Sequence, residues 1–375
     1  MVPLSLYIHI PWCIQKCPYC DFNSHKSPSQ LPESNYIQAL LEDLDADLTR
    51  TSERLISSVF IGGGTPSLFS ALAYETLFNG LTQRLTFEKN LEITLEANPG
   101  TVDYARFKDY RSLGINRLSL GIQSFNPAHL KTLGRIHNDE QAHVAIQKAR
   151  EAGFDNLNLD LMHGLPKQSM EEGLLDLTTA LQYEPEHLSW YQLTIEPNTM
   201  FYKTKPRLPS EKTAADLEEK GFDYLKAHQY ERYEISAFCK NQNYARHNLN
   251  YWNFGDYLGL GAGAHGKLTN GTDITRIHKH RMPKAYLSHH EKNAGITTLS
   301  EADKLFEFML NATRLEAPIP FSRFETRTGL SMNLLLPLLN QAKNKGLLHL
   351  NDDHWQITQH GRRFTNDLQA IFLIT

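Results

Sequence analysis

Cysteine is scarce in this chain: there are four in 375 residues, and three of them fall between positions 13 and 20. A disulfide framework spreads its cysteines along the chain and needs an oxidising compartment. Clustering of this kind points to a metal or an inorganic cluster instead. No run of 18 or more apolar residues occurs, so no membrane-spanning helix is expected. The opening, MVPLSLYIHIPWC, lacks the basic flank and the long apolar stretch of an export signal. Together these features predict a cytoplasmic protein. Charge of one sign is missing too: 38 Lys and Arg stand against 42 Asp and Glu, a formal net charge of −4. That balance predicts no nucleic-acid partner, and membrane contact only through partners. There is no low-complexity tract and no internal repeat beyond an alternation of strand and helix signals.

That alternation fills the first 200 residues. Strands are predicted at Leu4–Ile10, Val59–Ile61, Leu91–Ala97, Arg117–Ile122, Leu157–Leu161 and Leu188–Ile195. Between them lie helical stripes, the clearest being Ile37, Leu40, Leu41, Leu44 and Leu48 after Ser34. Gly114 and Gly153 stand where helices would stop. Six strands separated by helices imply a parallel α/β sheet with right-handed crossovers. A partial (β/α) barrel and a doubly wound sheet both satisfy this pattern.

Pro197–Pro209 is looser, a helix is expected over Thr213–Ala227, and Tyr230–Gly266 is rich in glycine and aromatics. Lys267–Asn293 is polar and reads as a linker. From Ser300 the pattern changes. Ser300 and Asp303 form a capping-box start, and a second helix is expected near Ser331–Lys345. A hairpin (LLHL, a polar turn, HWQI) and a last helix to the C-terminus follow. Helices followed by a hairpin suggest a winged-helix-like unit. Its eight Lys and Arg against eight Asp and Glu favour a structural or covering role over DNA binding.

The three clustered cysteines, Cys13, Cys17 and Cys20, follow a Cys-x3-Cys-x2-Cys spacing just after the first strand. Three thiolates hold three irons of a 4Fe–4S cubane and leave the fourth without a protein ligand. A free iron can take the amino and carboxylate groups of S-adenosylmethionine (SAM), whose radical chemistry then belongs to the cofactor. Two plainer readings stay open on spacing alone. One is a zinc site completed by His9 or His25. The other is a thioredoxin-like Cys17-Pro18-Tyr19-Cys20 pair.

Polar residues gather at the predicted strand ends, where parallel barrels keep their functional groups. Gly62-Gly63-Gly64-Thr65-Pro66 follows strand two, Glu96 and Asn98 close strand three, and Gln123 closes strand four. Arg135 comes soon after, Asp160 ends strand five and Glu196 ends strand six. Each alone reads as a turn or a helix cap. Gathered on one rim beside the thiolate loop, they read as a binding site. Glycines admit a ligand's polar end, carboxylates accept from an ammonium or from ribose, and Arg135 offers a planar fork to a carboxylate.

Tyr7-Ile8-His9-Ile10-Pro11-Trp12-Cys13 and Cys17-Pro18-Tyr19-Cys20-Asp21-Phe22 resemble the opening of the oxygen-independent coproporphyrinogen III oxidase-like radical SAM family. GGGTPS, LEANPG, LSLGIQSF, LGRIH and LDLMHGLP continue the resemblance in order, and it covers essentially the whole chain. It implies a partial (β/α)6 radical SAM barrel with a C-terminal winged-helix-like domain. It also implies SAM contacts from Tyr7, Tyr19, Gly63, Gly64, Thr65, Glu96, Gln123, Arg135 and Asp160.

Two members of that family compete: a decarboxylating oxidase, and the HemW branch of haem chaperones, which carries haem to apo-haemoproteins. Three features favour the chaperone branch. Tyr7 lies almost at the start, whereas the oxidases carry a longer leader. Cys20 is followed by Asp21-Phe22, with no fourth cysteine. Arg246-His247-Asn248-Leu249-Asn250-Tyr251-Trp252 is similar to the branch's His-Asn-x-x-Tyr-Trp signature. Coproporphyrinogen oxidase activity is therefore not expected. His247 becomes a candidate haem contact, against the plainer reading of a buried, hydrogen-bonded histidine. The other sixteen histidines are expected at the surface. Cys239 is expected as a buried free thiol, with a second haem-side ligand as the alternative. The resemblance also brings an electron donor and a homodimer as expected partners. The domain expectation is a barrel core over 1–210, an extension with the haem-binding segment over 211–295, and the winged-helix-like domain over 296–375.

Overall fold

A computed structural model of the chain describes residues 2–51, 54–101 and 104–373. Six parallel strands form where alternation and buried runs place them: β1 (Leu4–Ile10), β2 (Ile56–Gly63), β3 (Phe87–Ala97), β4 (Arg117–Gln123), β5 (Leu157–His163) and β6 (His187–Gln192). β6 stops three residues before the expected Ile195. Each strand pairs with the next in chain order. A doubly wound sheet would reverse direction at a switch point. Continuous winding with crossovers of one hand sets every crossover helix on the same face. The strand order therefore selects the barrel-type alternative.

The helices supply that outer layer. Glu33–Leu48 buries Ile37, Leu40, Leu41 and Leu44, the stripe visible in the sequence. Asp139–Glu151 and Met170–Leu181 each begin in a complete capping box, on Asn138 and Ser169. Reciprocal side-chain bonds of this kind satisfy amide groups that a helix start leaves without partners.

The 211–295 stretch adds strands to both edges of the same sheet. β7 (Glu231–Glu234) and β8 (Ala237–Cys239) continue antiparallel beyond β6. β9 (Asp256–Leu260) pairs in parallel with β1 on its other side. β10 (His265–Asn270), β11 (Asp273–Lys279) and β12 (Asn293–Thr298) follow as antiparallel neighbours. The result is one open twelve-stranded sheet. The expected linker over Lys267–Asn293 thus holds most of β10, all of β11 and a short helix, Pro283–Ser288. Its inward positions include lysines, which hid the alternation. Lys267 is buried against Asp256 at 2.8 Å, and Lys279 is buried between Asp43 at 2.5 Å and Asp47 at 2.7 Å. Buried charges survive in a core when paired in this way.

Beyond Ser300, whose capping box with Asp303 is formed, a second hydrophobic core gathers around Phe308, Leu335, Leu339 and Trp355. It packs the helices Glu301–Ala312, Phe321–Thr328 and Met332–Asn344 on a small sheet of Ile319–Pro320, Leu348–Leu350 and His354–Ile357. The final helix expected from sequence is two short ones, Gln359–Arg363 and Thr365–Ala370. No helix among the described residues is long and apolar enough to cross a membrane.

Candidate functional site

The ends of the parallel strands open into one cavity of about 470 Å³, within the range of small-molecule sites. Cys13, Cys17 and Cys20 line it, and all three are free thiols. Burial raises the pKa of Cys13 and of Cys20 above the usual thiol value. The loop is held from below by the glycine triplet. Gly64 N–H donates to Ile10 O at 2.7 Å and Thr65 N–H to Trp12 O at 2.8 Å. A Cβ on Gly64 would fall 2.6 Å from Trp12 O, so only glycine permits this approach. Gly63 has a φ of +114°, and its N–H donates to Glu96 Oε2 at 3.0 Å.

Glu96 and Asp160 bring two carboxylates to the cavity wall. Burial, and then the Asp160 charge, push the Glu96 pKa up to about 8. Burial raises Asp160 as well, although Ser119 Oγ and Asn158 Nδ2 donate to it at 2.9 and 2.8 Å. Two carboxyls whose pKa values burial raises, facing one cavity, are suited to receive a cation that restores their charge. Gln123 ends β4 with a φ of +70°, a conformation that a non-glycine residue holds only where surroundings impose it. Its Oε1 accepts from the Tyr191 hydroxyl at 2.8 Å. Arg135 donates to Gly121 O at 2.8 Å and to Cys17 Sγ at 3.7 Å, while its Nε is buried without a partner. A guanidinium touching the thiolate loop with a donor to spare is placed to meet an anionic group there.

Of the residues expected at this site, Tyr19, Gly63, Gly64, Thr65, Glu96, Gln123, Arg135 and Asp160 do line the cavity, and so do Asn98 and Glu196. Tyr7 does not. Its hydroxyl donates to His9 Nδ1 at 2.9 Å, and His9 Nε2 donates to Asn23 O at 2.9 Å. Ser119, Ser189 and Tyr191 line the cavity but were not singled out from the sequence. They could have been found: Ser119 and Gly121, Asn158 and Asp160, Ser189 and Tyr191 each repeat at the two-residue period of one strand face.

His247 lies outside this cavity, in the helix Arg246–Trp252, and is 1% exposed. Its Nδ1 is hydrogen-bonded to Ser58 Oγ at 3.2 Å and its Nε2 to the Tyr251 hydroxyl at 2.9 Å. Glu92 accepts from the backbone N–H of His247 at 3.2 Å. Burial, and then Arg117, lower the His247 pKa to about 3, so the ring is neutral. In this conformation both ring nitrogens are engaged, as in the plainer reading. The expectation that the remaining histidines lie at the surface fails for His9, His129, His137, His163 and His187, all buried. An imidazole with two partners is tolerated in a core; His187, bonded to Asn158 at 2.6 Å and Tyr233 at 2.7 Å, is the clearest case. Cys239 is a buried free thiol on β8, its pKa pushed up to about 12 by burial and then Glu231.

A profile of the Radical SAM superfamily matches residues 7–178, and one of the HemN C-terminal domain matches residues 299–364. The chain is 51% identical over 380 residues to "Heme chaperone HemW" of Haemophilus influenzae, covering 99% of this chain and 98% of that protein. It is 48% identical over 373 residues to the protein of the same name from Escherichia coli, with the same coverage of each. In fold it is similar to coproporphyrinogen III oxidase (HemN) of Escherichia coli, a radical SAM enzyme, with a TM-score of 0.83 and 23% identity over 99% of this chain and 90% of that one. Likeness along nearly its whole length to proteins of one name, on a radical SAM barrel, establishes that the chain belongs to the HemW haem chaperone branch of the oxygen-independent coproporphyrinogen III oxidase-like radical SAM family.

Proposed function

We propose that this protein is a haem chaperone. In this reading it holds a 4Fe–4S cluster on Cys13, Cys17 and Cys20, binds SAM in the adjoining cavity, and delivers bound haem to apo-haemoproteins. The observation that carries the reading is the convergence of three free thiols, Arg135 and the Glu96–Asp160 pair on one cavity, in a chain of the HemW branch. When bound, the cluster supplies single electrons at an iron left open by the three thiolates.

The chain's own residues take up the rest of SAM recognition. Arg135 meets the carboxylate of the amino-acid end through its guanidinium fork. Gly63, Gly64 and Thr65 let that end come close to the backbone. Glu96 and Asp160 face the ammonium and the ribose hydroxyls. Gln123, held by Tyr191, and Tyr19 border the same space. Tyr7 acts through His9, fixing the strand that leads into the cysteine loop. His247 serves as a haem contact only in a form where the helix Arg246–Trp252 has lifted from Ser58 and Glu92. The reading carries a cytoplasmic location, an electron donor for the cluster and a homodimer.

The test is haem transfer. Anaerobically reconstituted protein, loaded with haem, is mixed with an apo-haemoprotein, with and without the cluster. Transfer that depends on the cluster supports the reading. Absence of haem uptake ends it. Anaerobic turnover of coproporphyrinogen III to protoporphyrinogen, with SAM and reductant, would replace it with the oxidase reading. Stoichiometric zinc in place of iron and sulfide would replace the cluster with a zinc site.

A further inference from the structure

Haem is a flat apolar macrocycle with two carboxylates on one edge and an iron that accepts imidazole, thioether or thiolate ligands. The His247 side of this conformation offers it no place. The cavity beside Tyr251, Trp252, Tyr257 and Arg276 measures about 180 Å³, less than the roughly 300–1,000 Å³ of small-molecule sites.

A different groove meets those requirements. It measures about 570 Å³ and has apolar walls from Trp12, Pro28, Pro283 and Leu287. Met282 also lines it and is 58% exposed, so its side chain is open to a ligand. Its thioether is a recognised haem-iron ligand. Lys26 and Lys284 lie in the same groove, and both are exposed. Neither forms an ion pair among the described residues. An apolar wall, a soft ligand and two free cations complement the macrocycle, its iron and its propionates.

The groove also abuts the cysteine loop. A short parallel ladder sets Trp12 beside His25 and Cys13 beside Lys26. Adjacent strand residues face opposite ways, so Trp12 lines the groove while Cys13 lines the SAM cavity. His25 borders the groove half-buried, with its Nε2 engaged by Asn23 Oδ1 at 3.2 Å, whereas the Met282 side chain is exposed.

We propose that this groove is where the closed molecule takes up haem, with the Met282 thioether at the iron and Lys26 and Lys284 at the propionates. The inference rests on the haem-chaperone reading. It places haem against the loop that carries the three cluster thiolates, and separates haem loading from any later contact with His247.

The experiment titrates ferric protoporphyrin IX into the full-length protein and follows haem absorbance. It compares wild type, Met282→Ala, Met282→His, the Lys26→Ala/Lys284→Ala pair and His247→Ala, each checked for folding by circular dichroism. Residues 26, 282 and 284 are exposed, so their variants are expected to fold. Met282→Ala should weaken binding about tenfold, and the lysine pair roughly threefold to tenfold. Met282→His should recover the affinity with a spectrum changed to imidazole ligation. Groove variants of wild-type affinity, a Met282→His spectrum identical to wild type, or loss confined to His247→Ala would each overturn the groove while leaving the chaperone reading intact. Failure of wild type to bind one equivalent would instead strike the chaperone reading itself.

Discussion

The cavity at the cysteine loop and the pocket around His247 are both built from buried polar groups, yet they are finished differently. At the cysteine loop, polar capacity is left over. Arg135 Nε has no partner, Gln123 is held at a positive φ, and Glu96 carries a pKa near 8. Around His247 each ring nitrogen has a partner, and the backbone N–H is capped by Glu92. Unsatisfied groups and strain collect where a ligand will supply what is missing. A fully satisfied histidine is a structural element until something moves it. The lesson is that a motif residue and a site ready to bind are different things, and only the geometry separates them.

The sharpest way to break this contrast is to remove the thiols. Replacing Cys13, Cys17 and Cys20 by Ala should abolish the visible absorption that develops on anaerobic reconstitution with ferrous iron and sulfide. Cys239→Ala should leave it intact, and loss in that variant would mean the buried thiol is not a bystander.

The next effect tests the closed pocket. His247→Ala takes the partner from the Tyr251 hydroxyl and one of two from Ser58, which keeps Ser5, and opens a void, costing about 2–4 kcal/mol in urea unfolding. A loss below about 0.5 kcal/mol would show that the ring is not locked. The sign of the acid response follows from the lowered pKa. Below pH 6.5 the unfolded chain takes up a proton that buried His247 refuses until about pH 3, so stability falls as pH drops through that window. The variant should flatten that slope by about 1.4 kcal/mol per pH unit at most.

A comparable effect tests the open cavity. On the proposed reading SAM brings positive charge to Glu96, which holds its proton until about pH 8. Binding a cation lowers that pKa and expels the proton, so affinity should rise roughly tenfold per unit up to about pH 8 and then level off. Calorimetric titration of the reconstituted protein at pH 6, 7 and 8 reads this, and Glu96→Gln should remove the slope. A flat wild-type profile would show that Glu96 does not face the cation.

The smallest effect sharpens the geometry. Arg135→Lys keeps the charge but loses the fork, and should weaken SAM binding about tenfold. Equal binding would mean that Arg135 serves only Gly121 and the cysteine loop.

Much of this was legible before any coordinates. The cysteine spacing is local, so three thiols within eight positions declare themselves. The polar residues at the cavity were legible because alternation locates strand ends and a parallel barrel puts function there. β10 and β11 were not, because Lys267 and Lys279 occupy inward positions whose distant partners, Asp256, Asp43 and Asp47, no local pattern reveals. Tyr191 lies one residue before the end of β6, on the strand face behind it, so strand ends alone do not point to it.

The chain by itself fixed the six β/α units, their helix caps, the thiolate loop and the family signature, since each depends on neighbours a few residues apart. Tertiary structure alone decided that the units wind continuously, that the stretch after residue 211 feeds both sheet edges, and that His247 is closed while Met282 is open. These outcomes turn on contacts between residues far apart in sequence, such as Ser58 with His247 and Asp43 with Lys279, and burial is a property of the assembled molecule.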